Sequence, residues 1–158
     1  MDRWAIWKQI VAISPQCPAD SWWTIELEAL NALLDDILGK YAVDKDRIYL
    51  TGLSMGGYAA WAMGIKYPDR FAAIVPICGG GDPQKVCAIK DIPVWAFHGA
   101  KDSVVKLEQS ENMVKALKDC GGNVQLTIYP EADHDSWTAT YDNPELYEWL
   151  LKQSKSRK

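Results

Sequence analysis

Short apolar runs alternate with longer segments of helical periodicity along most of this chain, and this alternation limits the available folds more than any other feature. The apolar runs show little polar alternation, which is typical of strands covered on both faces. The connections are short, so the strands are expected to be parallel, with helices between them. We predict strands at residues 10–14, 47–51, 71–77, 94–97 and 124–129, and helices at residues 23–41, 55–67, 104–119 and 144–153.

These elements predict a three-layer α/β fold with a mostly parallel sheet of about five strands. A chain of 158 residues is long enough to bury one substantial core, so we predict a single domain over residues 1–158. In open sheets of this kind, ligands bind beyond the carboxyl ends of the strands. Functional side chains are therefore expected directly after strands.

The charge balance and hydropathy argue against several classes of partner. The formal net charge is -4 and the pI is about 5.1, which does not suggest a surface for nucleic acid. No apolar run approaches the length of a membrane-spanning helix, so no membrane partner is expected. The first residues lack the uninterrupted apolar core of a signal peptide, and a cytoplasmic location is the default expectation.

The four cysteines show no CxxC spacing, which argues against a zinc ribbon or a redox motif. Buried free thiols are the expected state in a chain of this size, with a Cys78–Cys87 disulfide as the alternative. No metal or cofactor is predicted.

One short motif falls where this architecture presents functional residues. Gly-Leu-Ser-Met-Gly occupies residues 52–56, directly after the predicted strand 47–51 and at the start of a predicted helix. It fits the pattern GxSxG, in which a tight strand-to-helix turn projects a serine hydroxyl above the sheet. The glycines let neighbouring backbone approach, and the helix N-terminus favours negative charge that develops nearby. We therefore predict that Ser54 is a nucleophile.

A serine hydroxyl is a weak nucleophile and needs a base. The sequence contains two histidines, His98 and His134. In α/β-hydrolases the chain order is serine, acid, histidine. His134 follows the last predicted strand and precedes the last predicted helix, where this fold presents its base. We predict His134 as the base and interpret His98, at the end of the fourth predicted strand, as a supporting or structural residue.

The base needs an acid that orients the imidazole and stabilises its cation. Asp102 follows the fourth predicted strand through a glycine-containing turn and is the predicted acid, with Asp82 as the alternative because it also follows a strand. Asp133 and Asp135 adjoin His134 in sequence, where side chains rarely align for this hydrogen bond. We interpret both as solvated loop charges.

The remaining site residues are predicted from their positions along the chain. The backbone N–H of Met55, directly after the nucleophile, should donate to an oxyanion. Gln16 lies in the turn at the end of the first predicted strand and could line the site. Trp137, three residues beyond His134, and Trp23 are candidate walls of a pocket for an acyl or aryl group.

Several stretches together resemble the bacterial phospholipase/carboxylesterase-like, or "predicted peptidase", group of α/β-hydrolases, which is related to feruloyl esterases and polyhydroxybutyrate depolymerase-like enzymes. The matching stretches are residues 14–18, 46–57, 76–81, 97–102 and 134–137. The resemblance implies hydrolysis of a small ester substrate through an acyl-enzyme, with Ser54, Asp102 and His134 as the triad. A peptidase or polyester depolymerase on the same triad is the alternative activity.

The resemblance also implies that members of the group carry a further N-terminal portion, with the first strands and a His-Gly oxyanion loop, which we expect this sequence to lack. The missing strand would lie between residues 10–14 and 47–51. Two arrangements could cover the resulting edge: direct pairing of those two segments, or a homodimer. A shortened hydrolase fold with little or no activity is therefore the non-enzymatic alternative, because the second oxyanion donor would be absent.

Overall fold

The computed structural model describes residues 10–155. Residues 1–9 lie outside the described part. The cytoplasmic location was expected from these first residues and stays a prediction. The strands are β1 (Tyr49–Leu53), β2 (Ala73–Ile77), β3 (Val94–Gly99) and β4 (Val124–Tyr129). The α-helices are α1 (Leu27–Lys40), α2 (Met55–Lys66), α3 (Glu108–Asp119), α4 (Trp137–Asp142) and α5 (Pro144–Lys152), and two 3₁₀ turns span Pro68–Arg70 and Val86–Ile89.

The strands form one parallel sheet in the order β1-β2-β3-β4. Helix α2 carries the chain from β1 to β2, and α3 carries it from β3 to β4. Because all the strands run in the same direction, their carboxyl ends lie along one edge of the sheet. The predicted α/β fold with a mostly parallel sheet is confirmed.

Two apolar clusters lie on opposite faces of the sheet, and β2 contributes to both because its side chains alternate between them. Ile74 packs with side chains of α1, α2 and α3, including Trp61 and Leu117. Val75 packs on the other cluster with Leu146 of α5. This double cover explains why β2 is buried at every residue and why its sequence shows no polar alternation.

The predicted strand at residues 10–14 does not form. Val11 is 70% exposed and Ile13 is 48% exposed, and the segment has no strand geometry. Within residues 10–155, β1 is paired only with β2, so the sheet has four strands and not five. Strand propensity is realised only where a neighbouring strand completes the hydrogen-bond ladder, and direct pairing of residues 10–14 with β1 is therefore wrong.

Two helix boundaries differ from the prediction for local reasons, and one helix was missed. Helix α1 begins at Leu27, because residues 18–26 form turns, with the Ile25 N–H donating to Trp22 O. Helix α3 begins at Glu108, because the preceding residues fold back on Asp102. Helix α4 is too short to show periodicity in the sequence. None of the helices in residues 10–155 combines the length and apolar character needed to cross a bilayer.

The cysteines are arranged differently from both sequence expectations. Cys87, in the second 3₁₀ turn, forms a disulfide with Cys120 at the end of α3, with a Cα–Cα distance of 5.9 Å. Cys17 and Cys78 are buried free thiols. The expected Cys78–Cys87 alternative is therefore wrong, as is the expectation that all four thiols are free. Spacing along the chain carries no information on this pairing, because the fold brings together residues 33 apart.

We expect removal of this disulfide to lower the free energy of unfolding by about 2–4 kcal/mol, since the bond restricts the unfolded chain. Chemical denaturation of a Cys87→Ser/Cys120→Ser double variant should show the loss. Reductant should bring the wild-type protein to the same stability and should leave the variant unchanged. Equal stability of oxidised wild type and variant would contradict this account.

Candidate active site

Three loops beyond the carboxyl ends of the strands bring together the residues predicted to be nucleophile, acid and base. Ser54 lies between β1 and α2, Asp102 follows β3, and His134 follows β4. His134 Nε2 lies 2.9 Å from Ser54 Oγ, and His134 Nδ1 lies 2.8 Å from Asp102 Oδ2. The structure therefore joins side chains that are 80 and 32 residues apart into one hydrogen-bonded chain.

The geometry assigns the direction of these hydrogen bonds. An ionised carboxylate only accepts, so the Nδ1–H of His134 donates to Asp102. Nε2 of the neutral ring is then the acceptor and faces the hydroxyl of Ser54. The side chain of His134 is one-fifth exposed (20%), so the ring is partly accessible from solvent. This is the tautomer that a general base for Ser54 requires.

Ser54 occupies a strained turn. Its backbone has φ 50° and ψ -115°, a conformation that L-residues rarely adopt and that is typical of functional sites. The Ser54 N–H donates to Ile77 O at the end of β2, which fixes the turn against the sheet. The structure thus shows the strand–turn–helix context that the GxSxG motif predicts.

The glycines of the motif are not equivalent. A Cβ on Gly52 would overlap the backbone oxygen of Gly56, and a Cβ on Gly57 would overlap Ile77 O. A Cβ on Gly56 itself would meet no atom within 4 Å. The close approach of the backbone therefore depends on Gly52 and Gly57.

We expect Gly52→Ala to destabilise the protein by at least about 1–3 kcal/mol, because rigid backbone atoms must move to admit the methyl group. Gly56→Ala is the matched control, since its methyl group points into open space. Thermal unfolding of both variants measures the difference. A Gly56→Ala loss as large as that of Gly52→Ala would contradict the steric account.

Asp102 is buried and its carboxylate is fully engaged. Oδ1 accepts the N–H groups of Val104 and Val105 at 2.9 and 2.8 Å, and Oδ2 accepts from His134. Burial raises the pKa of Asp102, but the hydrogen bonds from His134, Val105 and Val104 outweigh it, so the pKa lies below its usual range. The carboxylate consequently stays ionised where histidines titrate and can stabilise an imidazolium.

The other aspartates considered from the sequence lie elsewhere. Asp82 is exposed, accepts from the Gln84 N–H at 3.0 Å and pairs with Lys85 at 3.1 Å, so it does not orient His134. Asp133 and Asp135 are exposed loop charges, as interpreted, but each also accepts specific hydrogen bonds. Asp135 accepts from the backbone and hydroxyl of Thr138 in the first turn of α4.

Asp133 links the loop of the base to the loop of the acid. Its Oδ1 accepts the Ser103 N–H at 2.8 Å, the Ser103 hydroxyl at 3.0 Å and the His134 N–H at 2.8 Å. These contacts, the Ser103 N–H first, hold the pKa of Asp133 below its usual range. The sequence shows that a carboxylate adjoins His134. Its partner Ser103, on the loop after β3, is visible only in the fold.

The remaining predicted residues differ in their relation to these three side chains. Met55 is the first residue of α2, where backbone N–H groups have no partner inside the helix, so its N–H is suited to an oxyanion. The Trp137 ring meets the His134 ring edge-on, with centroids 5.3 Å apart. Trp23 is half-buried in the turns before α1. Gln16 is exposed, and its amide donates to Cys17 O at 3.4 Å.

Cys78 is a neighbour of the site that sequence reasoning missed. It follows β2 with φ 40°, and its Sγ accepts from the Ser54 N–H at 3.3 Å. Burial raises the pKa of this thiol to about 11, although the Ser54 N–H opposes the change. Ligand atoms of Cys78, Asp102 and His134 lie within 4.8 Å of one another. Because the thiol stays protonated and the other two groups bond to each other, the cluster fits a proton-transfer chain better than a cation.

The family relationship is decided by a match over most of the chain. The model of the family described as Phospholipase/Carboxylesterase matches residues 1–143. The chain belongs to this family. The relationship agrees with the residues that carried the resemblance in the sequence.

Individual relatives have names of esterases. The bifunctional acetylxylan esterase/xylanase XynS20E of Neocallimastix patriciarum is 27% identical over 128 residues, which are 80% of this chain and 18% of the relative. Acyl-protein thioesterase 1 homolog 2 of Dictyostelium discoideum is 29% identical over 116 residues, 70% of this chain and 52% of the relative. The chain therefore spans about half or less of the length of these curated relatives.

A crystal structure of a thermostable esterase superposes with a TM-score of 0.86 at 42% identity. The match covers 89% of this chain and 43% of that chain. The fold of this chain thus corresponds to part of a larger esterase, and its four-stranded sheet is that of an α/β-hydrolase.

Proposed function

We propose that the protein is a serine carboxylesterase that hydrolyses small carboxylic esters through an acyl-enzyme. The observation that carries the proposal is the hydrogen-bonded chain from Ser54 Oγ through His134 to Asp102, at 2.9 and 2.8 Å. The family and the esterase relatives support the same reaction class. No cofactor takes part in the proposed steps.

Acylation begins with attack of Ser54 Oγ on the ester carbonyl carbon while His134 Nε2 takes the hydroxyl proton. The resulting imidazolium is stabilised by Asp102, which keeps its negative charge. The tetrahedral oxyanion accepts a hydrogen bond from the Met55 N–H at the start of α2. The bond from carbon to the alcohol oxygen then breaks, and His134 returns its proton to the leaving alcohol.

Deacylation repeats these steps with water in place of the serine. His134 removes a proton from water, the oxygen attacks the acyl carbon, and the carboxylic acid leaves as Ser54 recovers its proton. Trp137 lies at the edge of the His134 ring, where it would restrict ring rotation and face an acyl or aryl group. The substrate-binding roles of Trp137, Trp23 and Gln16 stay predictions.

The second oxyanion donor determines how fast this reaction proceeds. Loss of one such donor lowers rates by about 10²–10³-fold in well-studied serine hydrolases. Gln16 would have to release Cys17 O before its amide could serve. A Gln16 amide that serves as this donor stays a prediction. The homodimer expected from the unpaired edge of β1 likewise stays a prediction.

A panel of matched substrates tests the proposed reaction class. Short-chain nitrophenyl esters, the corresponding nitroanilides and a soluble polyester oligomer present ester, amide and polyester bonds to the same site. We expect measurable turnover of the nitrophenyl esters, with the amides at least tenfold slower because the amine is a poorer leaving group. Preference for the amides would support a peptidase. A folded protein that turns over none of these substrates and is not labelled by an organophosphorus serine probe would overturn the proposal.

A further inference from the structure

His98, which the proposed reaction does not use, is completely buried (0% exposed) at the end of β3. Its Nδ1 lies 2.8 Å from Ser110 Oγ on α3, and its Nε2 lies 2.8 Å from Val105 O in the loop after β3. Nε2 is also 3.3 Å from Asp102 Oδ2. Ser110 Oγ in turn lies 2.9 Å from Gly79 O in the loop after β2. His98 therefore sits at the junction of three segments that support the site.

The protons available to these contacts can be counted. Backbone carbonyls only accept, so the contact with Val105 needs a proton on His98 Nε2, and the contact with Gly79 needs the hydroxyl proton of Ser110. The contact between Nδ1 and Ser110 Oγ then needs a third proton, which must come from Nδ1. A neutral imidazole and one hydroxyl supply two protons. Only an imidazolium satisfies all three contacts.

We propose that His98 is held as a buried imidazolium that acts as a second cationic partner of Asp102 and thereby positions the acid for His134. A buried charge is costly unless it is paired and hydrogen-bonded. The Asp102 carboxylate supplies the counter-charge at 3.3 Å, and Val105 O and Ser110 Oγ accept both ring N–H groups. A neutral ring would leave one lone pair facing another at one of these short contacts.

The same arrangement connects His98 to the pH dependence of the base. The titratable groups around the Asp102 carboxylate are His98 on β3, His134 after β4, Tyr58 on α2 and Cys78 after β2. The positive charge of His98 partly offsets the negative charge of Asp102, so it opposes protonation of His134. Neutralising His98 should therefore make His134 accept a proton at higher pH.

Nuclear magnetic resonance tests the protonation state without any catalytic measurement. The sequence has two histidines, so the imidazole nitrogen spectrum contains two rings, and His98→Gln identifies the ring of His98 by difference. We expect both nitrogens of His98 to carry protons at neutral pH, with slow exchange because the ring is buried. Ser110→Ala removes the contact that requires the third proton, and we expect His98 to become neutral in it. A neutral His98 in the wild-type protein would overturn the proposal.

Kinetics test the positioning role, and this part rests on the proposed function. We expect His98→Gln, which keeps a neutral donor near Val105, to lower kcat by on the order of tenfold to 10²-fold with little change in KM. The fall of kcat/KM on the acid side of the pH profile should move to higher pH in this variant. We expect the same shift in Ser110→Ala. The exposed Asp82→Asn variant is the control and should keep the wild-type profile.

The outcomes separate the two proposals. An unchanged acid limb in both variants would show a merely structural His98 and overturn the positioning role. An imidazolium signal in a protein without esterase activity would support the charged state of His98 while the esterase proposal fails. Wild-type kcat and pH profile in His98→Gln would overturn the positioning role even if the ring is charged.

Discussion

Ser54→Ala should abolish ester turnover and covalent labelling by an organophosphorus serine probe. The substitution removes the oxygen that attacks the substrate, and loss of the nucleophile in well-studied serine hydrolases lowers kcat by about 10⁶-fold. The methyl side chain fits the same strained turn, so the fold should persist. Intact-mass measurement should show one probe adduct on the wild-type protein and none on the variant.

A second serine separates specific from general labelling. Ser14 is exposed in the segment before α1, and Ser14→Ala should keep the wild-type labelling and turnover. Unfolded protein should not react, because the probe needs a serine whose proton is removed by His134. Labelling that survives Ser54→Ala would show that another residue is the nucleophile.

Asp102→Asn should lower kcat by about 10⁴-fold, the effect of the same exchange in chymotrypsin-type proteases. The amide can donate to His134 Nδ1, which then favours the tautomer with the proton on Nε2, facing Ser54. Substrate binding should change little, because Asp102 is buried behind the imidazole. Steady-state kinetics on a short-chain nitrophenyl ester should therefore show a fall in kcat with KM nearly constant.

Asp82→Asn is the matched control for this exchange. Asp82 also follows a strand, but its carboxylate is exposed and bonds to Lys85 and the Gln84 N–H. We expect kcat within about twofold of wild type, since surface ion pairs contribute little. A larger loss in Asp82→Asn than in Asp102→Asn would exchange the roles assigned to the two residues.

Most of the fold was predictable because it depends on local pattern. The strand at Val124–Tyr129 was predicted with its observed bounds, and the helix after Ser54 differs by one residue at its end. Apolar runs bounded by turns and helical periodicity act over short distances, so they are readable in the chain itself. The positions of Ser54, Asp102 and His134 after their strands are equally local, and they led to the predicted triad, with Asp82 as the alternative acid.

The errors arose where an interaction joins distant segments. Residues 10–14 have strand composition but no paired neighbour within the described residues. The Cys87–Cys120 disulfide links a 3₁₀ turn to the end of α3. Asp133 is exposed, as interpreted, but its hydrogen bonds with Ser103 were missed.

The sequence by itself determined the architecture and predicted the nucleophile and the base of the proposed triad, because parallel α/β topology places residues that follow strands at one edge of the sheet. Only the tertiary structure decided the acid between Asp102 and Asp82, since both follow strands and distance alone distinguishes them. It also decided the surroundings of His98, whose hydrogen-bond partners come from α3 and two loops. Hydrogen bonds depend on distance and direction in space, and neither is encoded at a fixed spacing along the chain.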